Sequence, residues 1–136
     1  MNPRILIADD DESIRDIFRL IFSELDFALE LISSGEDLLK NRFIVPDIFL
    51  IDKQLSGVNG LDVCRFLKEQ SNTRHIPVIM ISALPDIGTL SKEAGADGYI
   101  EKPFEITFLM EVINRYIVTP GTITQNRTSG TPPATL

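Results

Sequence analysis

Ile48-Phe49-Leu50-Ile51-Asp52 is four consecutive apolar residues ending in a carboxylate. Strict alternation would mark a strand with one wet face. An unbroken run this short reads instead as a strand buried on both faces, the habit of parallel sheets covered by helices. Three other runs have the same form. Ile5-Leu6-Ile7-Ala8 stops at Asp9-Asp10-Asp11, Val78-Ile79-Met80-Ile81 stops at Ser82, and Gly98-Tyr99-Ile100-Glu101 stops at Lys102-Pro103. In an open parallel sheet the loops leaving the carboxyl ends of the strands share one crevice, where ligands bind. Carboxylates, a hydroxyl and an ammonium far apart in sequence are therefore expected to meet in space.

Between the runs lie helical patterns. Ile14, Ile17, Phe18, Ile21, Phe22 and Leu25 make one apolar stripe. Residues 27–32 form a less uniformly apolar strand, expected nearer a sheet edge. Ser34-Gly35-Glu36 opens a short helix through about Phe43, and Pro46 precedes the run at 48. Asn59 is a candidate N-cap for a helix through about Gln70, packed by Leu61, Cys64 and either Phe66 or Leu67. Residues 85–94 form a weak helix, because Pro85, Gly88 and Thr89 all lower helical propensity. Ile106, Leu109, Val112, Ile113 and Tyr116 stripe a last one. A βα unit repeated five times with right-handed crossovers predicts a doubly wound, five-stranded parallel α/β sheet. The expected strand order is 2-1-3-4-5, as in flavodoxin-like folds.

The chain has 136 residues and a formal charge of −7, enough length for one core and the wrong sign for non-specific binding to nucleic acid or an anionic membrane. One cysteine, Cys64, excludes an internal disulfide and suits a reducing cytoplasm; it reads as a buried helix residue. No apolar run approaches the ~20 residues of a membrane span, and the N-terminus is not a secretory signal. From Thr119 onward Thr, Pro and Gly dominate, so residues 1–118 are expected to form the domain and 119–136 a flexible tail or linker remnant. Asn126-Arg127-Thr128 matches a glycosylation sequon by chance, and His75 reads as a solvent histidine.

Close carboxylates repel when all are ionised, and Mg²⁺ removes the conflict. That ion takes octahedral oxygens at about 2.0–2.1 Å, with one or two carboxylates and several waters. Asp10 and Asp52 are the candidates for direct ligation, Asp9 for contact through a water, and the Gln54 backbone carbonyl for a further oxygen. The run Asp9-Asp10-Asp11-Glu12 also suits the positive end of a helix. An isolated Asp52 after four apolar residues does not fit that role, and burial disfavours an uncompensated carboxylate. Aspartate can act as a nucleophile and form an acyl phosphate. Lys102 would pair with Asp52 before reaction and with a phosphoryl oxygen afterwards, and Ser82 would donate to another oxygen.

The chain resembles the receiver domains of two-component response regulators over residues 4–118. The matching pieces are Ile-Leu-Ile-Ala-Asp9-Asp10, Asp52, Gly60 eight residues later, Ile-Ser82-Ala83 and Gly98-Tyr99-Ile-Glu-Lys102-Pro103-Phe104. The resemblance implies Asp52 as phosphoacceptor, a Mg²⁺ site at Asp9 and Asp10, Ser82 as switch hydroxyl, Tyr99 as switch aromatic, and a cis bond before Pro103. It implies a cytoplasmic signalling switch that catalyses its own phosphorylation and slow dephosphorylation rather than a metabolic reaction. The phosphodonor would be a histidine kinase or phosphotransfer protein, and the output a protein target or a detached output domain. The face of helix four, strand five and helix five is the expected target or homodimer surface, with no direct nucleic-acid contact. Two departures stand out. Leu55-Ser56-Gly57-Val58-Asn59 replaces the family's proline-bearing loop, and Ser56-Gly57 is expected to loosen it. The stretch from Ser82 to Lys102 is short, so helix four is expected to be short or displaced. Gln54 and Leu84 flank the phosphoryl position, where one could orient a hydrolytic water and the other obstruct it. Three alternatives fit the residues less well. A haloacid dehalogenase-type hydrolase wants an acid at position 54. A nucleotide-binding module wants a glycine-rich loop after the first strand. A phosphorylation-independent pseudo-receiver would not need all the chemical positions retained here.

Overall fold

All the buried apolar runs become strands of one sheet in the computed structural model, which describes residues 2–117. In chain order the strands are β1 (Arg4–Ala8), β2 (Ala28–Ile32), β3 (Ile48–Asp52), the two-residue β4 (Gln54–Leu55) and β5 (Val58–Asn59), β6 (Val78–Ser82) and β7 (Gly98–Glu101). The five long strands form the sheet in the order β2-β1-β3-β6-β7, and every pair is parallel. Counting only these five strands, this is the expected 2-1-3-4-5 order. Helices α1 (Glu12–Phe22), α2 (Gly35–Leu39), α3 (Gly60–Glu69), α4 (Ile87–Glu93) and α5 (Ile106–Tyr116) connect and follow them.

The period of two along each strand builds two cores. Leu6, Ala8, Phe49, Ile51, Val78 and Met80 face one side, against Leu38 of α2, Leu61, Cys64 and Leu67 of α3, and Ile87 of α4. Ile5, Ile7, Ile48, Leu50, Ile79, Ile81 and Ile100 face the other, against Phe18 and Phe22 of α1 and Leu109, Val112 and Ile113 of α5. Neither face of β3 meets water, which is why its sequence lacks alternation.

Several local expectations need correction. Ile17 and Ile106 are 48% and 47% exposed, because each lies at the margin of a stripe whose centre is Phe18–Phe22 in α1 and Leu109–Ile113 in α5. Leu25 falls beyond the end of α1 and is also exposed. Helix α2 stops at Leu39, short of Phe43. Asn41 takes φ +57°, its N–H donates to Leu38 O, and Arg42 N–H donates to Asp37 O. This is a Schellman ending with asparagine in the left-handed position. Gly95 (φ +87°) closes α4 in the same way, with Gly95 N–H on Lys92 O and Ala96 N–H on Ser91 O. Helix α4 spans seven residues, short as expected.

The largest correction concerns the loop after β3. There β4 and β5 pair antiparallel into a small hairpin with Ser56-Gly57 at its tip. Gly57 has φ +75°, the conformation that a type II turn reserves for glycine at its second central position. Glycine here fixes a turn rather than loosening a loop. The hairpin is docked on α2: Ser56 bridges Ser34, and Val58 packs so closely over Gly35 that a Cβ there would lie 2.8 Å from Val58 Cβ. The expected domain boundary at 118/119 and the tail lie outside the described residues.

Candidate functional site

The carboxyl ends of β1, β3, β6 and β7 meet at one end of the sheet, and the strand register sets the spacing of the polar groups there. Ala8 pairs with Ile51, Asp52 with Ile81, and Ser82 with Glu101. Backbone bonds continue the register past the strand ends, from Lys53 N–H to Ile81 O and from Lys102 N–H to Ser82 O. Asp9, Asp52, Ser82 and Lys102 thus begin their loops side by side. The Lys102–Pro103 peptide is cis.

Asp52 is 7% exposed, and both its oxygens are engaged. Oδ1 accepts from Gln54 N–H at 2.8 Å, and Oδ2 accepts from Lys102 Nζ at 2.6 Å. Lys102 Nζ also stands 3.7 Å from Asp9 Oδ2. Asp9 is 3% exposed, and its Oδ1 accepts from Asp11 N–H at 2.9 Å. Burial pushes the Asp9 carboxyl up to about 6; the Asp11 N–H opposes the rise, the Asp52 charge adds to it, and Lys102 opposes it. Burial would lower the Lys102 pKa, but the hydrogen bond and charge of Asp52, then Asp9, outweigh it and hold the ammonium above its ordinary value. One lysine thus serves two carboxylates, and the pair is left short of positive charge.

The acidic run divides its duties. Asp9 points into the pair with Asp52. Asp10 is exposed and lines an open cleft with Lys53, Gln54, Leu55, Ser56, Gly57, Val58 and Asn59, so the hairpin forms one wall of the crevice. Asp11 caps α1, accepting from Ser13 N–H at 2.9 Å and Ile14 N–H at 3.3 Å, and Glu12 occupies the first turn. The helix-start reading therefore holds for Asp11 and Glu12, while Asp9 is drawn inward to Asp52. Among the described residues no three His, Cys, Asp or Glu side chains are gathered closely enough to hold a metal by themselves. The donor set nevertheless fits a hard cation, since Mg²⁺ takes one or two carboxylates and fills the rest with other oxygens and water. The raised Asp9 carboxyl beside Asp52 marks where positive charge is lacking.

Ser82 is buried, and its hydroxyl accepts from Leu84 N–H at 3.0 Å, which folds the β6–α4 loop back over the strand end. Tyr99 lies one strand further out, opposite Met80 on β7, and is half exposed. Asn59 caps α3 as expected, accepting from Leu61 N–H at 2.8 Å.

Two supporting residues have roles that the sequence does not reveal. Arg15 donates from Nη1 to the Asp9 backbone carbonyl at 2.9 Å and pins the loop that carries the acids. Its one signal is a cation a turn into α1, on the helix that leaves the acidic run. Gly60 stands out in the sequence only by its spacing from Asp52. Its physical role is close approach: a Cβ there would collide with the Asp52 carbonyl oxygen and lie 2.9 Å from Lys53 Cα. Gly60 N–H donates to Lys53 O at 2.6 Å, tying α3 to the end of β3.

Comparison with known proteins agrees with this geometry. The family model described as the response regulator receiver domain matches residues 5–114. The chain is 38% identical over 108 residues to the DNA-binding response regulator MtrA of Mycolicibacterium paratuberculosis, an alignment covering 77% of this chain and 47% of that protein. It spans about half the length of the curated relatives it matches. Among solved structures, the Francisella response regulator 1452 receiver domain superposes with TM-score 0.75 at 28% identity, covering 85% of this chain and 96% of that one. The receiver domain of sensor histidine kinase PA1611 from Pseudomonas aeruginosa, solved with magnesium coordinated in its active-site cleft, gives TM-score 0.76 at 22% identity, covering 85% of this chain and 98% of that one, a likeness of fold.

Proposed function

Because the chain belongs to the response regulator receiver domain family, we propose that it is a phosphorylation-dependent signalling switch whose phosphoacceptor is Asp52. The observation that carries this reading is the pairing of a nearly buried Asp52 with Lys102 at 2.6 Å, beside a second buried acid. An acceptor of this kind needs its charge balanced both before and after transfer. Lys102 is within reach of Asp52 and Asp9 and can follow a phosphoryl oxygen when the Asp52 carboxylate becomes an acyl phosphate.

In this reading Asp9, Asp10, Asp52 and the Gln54 carbonyl would hold Mg²⁺, which supplies charge neutralisation for the incoming phosphoryl oxygens when bound. The chain's own residues position and stabilise, which is most of what phosphoryl transfer asks of a protein. Asp52 presents one carboxylate oxygen as nucleophile; the Gln54 N–H fixes the carboxylate plane; Ser82 donates its hydroxyl to a phosphoryl oxygen and draws the β6–α4 loop inward. Tyr99 then changes position on the α4–β7–α5 face. The donor is a histidine kinase or phosphotransfer protein, and the setting a cytoplasmic one. The output is a protein contact at that face, with a second copy of the chain as one form of partner. The relative named above is DNA-binding over a length about twice that covered here. The expectation of no nucleic-acid contact does not fit such relatives, and a DNA-binding output is therefore a property proposed for a longer protein; the −7 charge of this chain opposes non-specific binding alone.

Intact mass after incubation with a small phosphodonor tests the reading. We expect one Mg²⁺-dependent phosphoryl adduct on the native chain and none on Asp52→Asn. Lys102→Met should form the adduct about 10²-fold more slowly, the usual cost of losing one group that stabilises transition-state charge. An unlabelled native chain would instead favour the pseudo-receiver, an interaction module independent of phosphorylation.

A further inference from the structure

Helix α4 carries a glycine beside the Tyr99 ring. A Cβ on Gly88 would lie 3.1 Å from Tyr99 Cζ, 3.2 Å from its hydroxyl oxygen and 3.3 Å from Cε1. Carbon contacts are optimal at about 3.5–4.0 Å, so a side chain there would press on the ring and make it give by a few tenths of an ångström. Tyr99 lies on β7, the edge strand, and its ring rests on the backbone of the first turn of α4.

A second observation concerns the same helix. Ser91, one turn after Gly88, is 2% exposed, and its hydroxyl has no hydrogen-bond partner among the described residues. A buried hydroxyl without a partner is unfavourable. Gly88 is a poor helix residue, and the N-cap Asp86 makes no side-chain capping bond. Seven residues with three local costs do not hold themselves in place. Tertiary contacts must do so: Ile87, Leu90 and Ala94 on the core, and the Tyr99 ring beside Gly88.

We propose that Gly88 is a positioning residue for Tyr99: lacking a side chain, it seats the ring, and the seated ring latches α4 in its present place. Displacing the ring frees α4. The latch belongs to the unphosphorylated chain; its use in signalling rests on the function proposed above, in which Tyr99 moves when Asp52 is phosphorylated.

The chain has two tyrosines and no tryptophan, so in a Tyr116→Phe background tyrosine fluorescence reports on Tyr99 alone. In that background Gly88→Ala should raise acrylamide quenching of Tyr99 by about twofold and speed hydrogen exchange of the α4 amides by about fivefold or more, the mark of a locally less stable segment. Alanine is the better helix former, so propensity alone demands slower exchange. Tyr99→Ala should speed α4 exchange to the same extent, and Gly88→Ala added to it should then slow exchange, because only helix propensity remains once the ring is gone. Slower α4 exchange in Gly88→Ala with unchanged quenching would overturn the latch, as would full additivity of the two substitutions. Phosphoryl labelling of the native chain, measured in parallel by mass, reports on the proposed function separately. Failure to label would sink that function while the α4 and Tyr99 readouts still decide the latch.

Discussion

Asp52 ends a strand with no wet face, and its charge is tolerated because an N–H and an ammonium meet its two oxygens. That position was legible in the sequence, since a lone acid directly after four apolar residues is costly to bury unless a partner compensates it. Gly60 was legible only as a spacing; the reason is the backbone of Asp52 and Lys53 lying where a side chain would be. Gly60→Ala must push α3 away from the end of β3. We expect it to cost about 1–3 kcal/mol, the range for overpacking a well-filled site, read as a lower urea midpoint at unchanged slope. The same variant should slow phosphorylation, because Gln54 and Lys53 move with Asp52. Arg15 was not legible as a functional residue, because its target is a backbone carbonyl and no side-chain pattern signals that.

The elements were readable where apolar periodicity was long and uninterrupted. β1, β3, β6, α1, α3 and α5 fall where the patterns put them, within a few residues. The misreadings fall where the backbone leaves common conformations: Asn41 ends α2 early, and Gly57 turns a supposedly loose loop into a hairpin wall of the crevice. Long-range polar clasps between elements were equally invisible. Asp97, after α4, accepts from Lys68 Nζ of α3 at 2.8 Å and from Val78 N–H at the start of β6 at 2.9 Å. Lys68 also donates to Ile76 O, and Tyr116 of α5 donates to the Asp97 carbonyl. Three elements, α3, β6 and α5, are fastened to one residue of the α4–β7 connection, with partners 19 and 29 positions away. Asp97→Ala leaves the Val78 N–H without its acceptor and the largely covered Lys68 ammonium with the Ile76 carbonyl but no counter-charge. It should cost about 1–3 kcal/mol, the penalty for stranding buried donors, seen by chemical denaturation, with phosphorylation of Asp52 preserved at the opposite end of the sheet.

At the scale of the molecule, two cores on either side of one sheet leave little inside that is polar. Cys64 is a consequence. Burial pushes its thiol up to about 11 from an ordinary 9.0, with Lys68 opposing and Asp97 adding to the shift. At pH 8 a thiol reagent should therefore react with the native chain only as fast as it opens, and fully once it is unfolded in denaturant. The linkage has a definite sign. Between pH 9 and about 11 the unfolded thiol loses its proton while the folded one keeps it, so stability falls as pH rises through that window. Cys64→Ala should flatten that decline. The fold class and strand order were legible as a whole because the βα alternation admits few topologies.

The gathering of remote strand ends around one carboxylate is the premise on which the rest depends. Borohydride reduction of the phosphorylated chain converts an aspartyl phosphate to homoserine, and peptide mass mapping then locates it. Homoserine is expected at Asp52, with Asp9, Asp10 and Asp11 unchanged. Homoserine at any of those three, or phosphate retained on a serine or threonine with Asp52 intact, would refute the assignment.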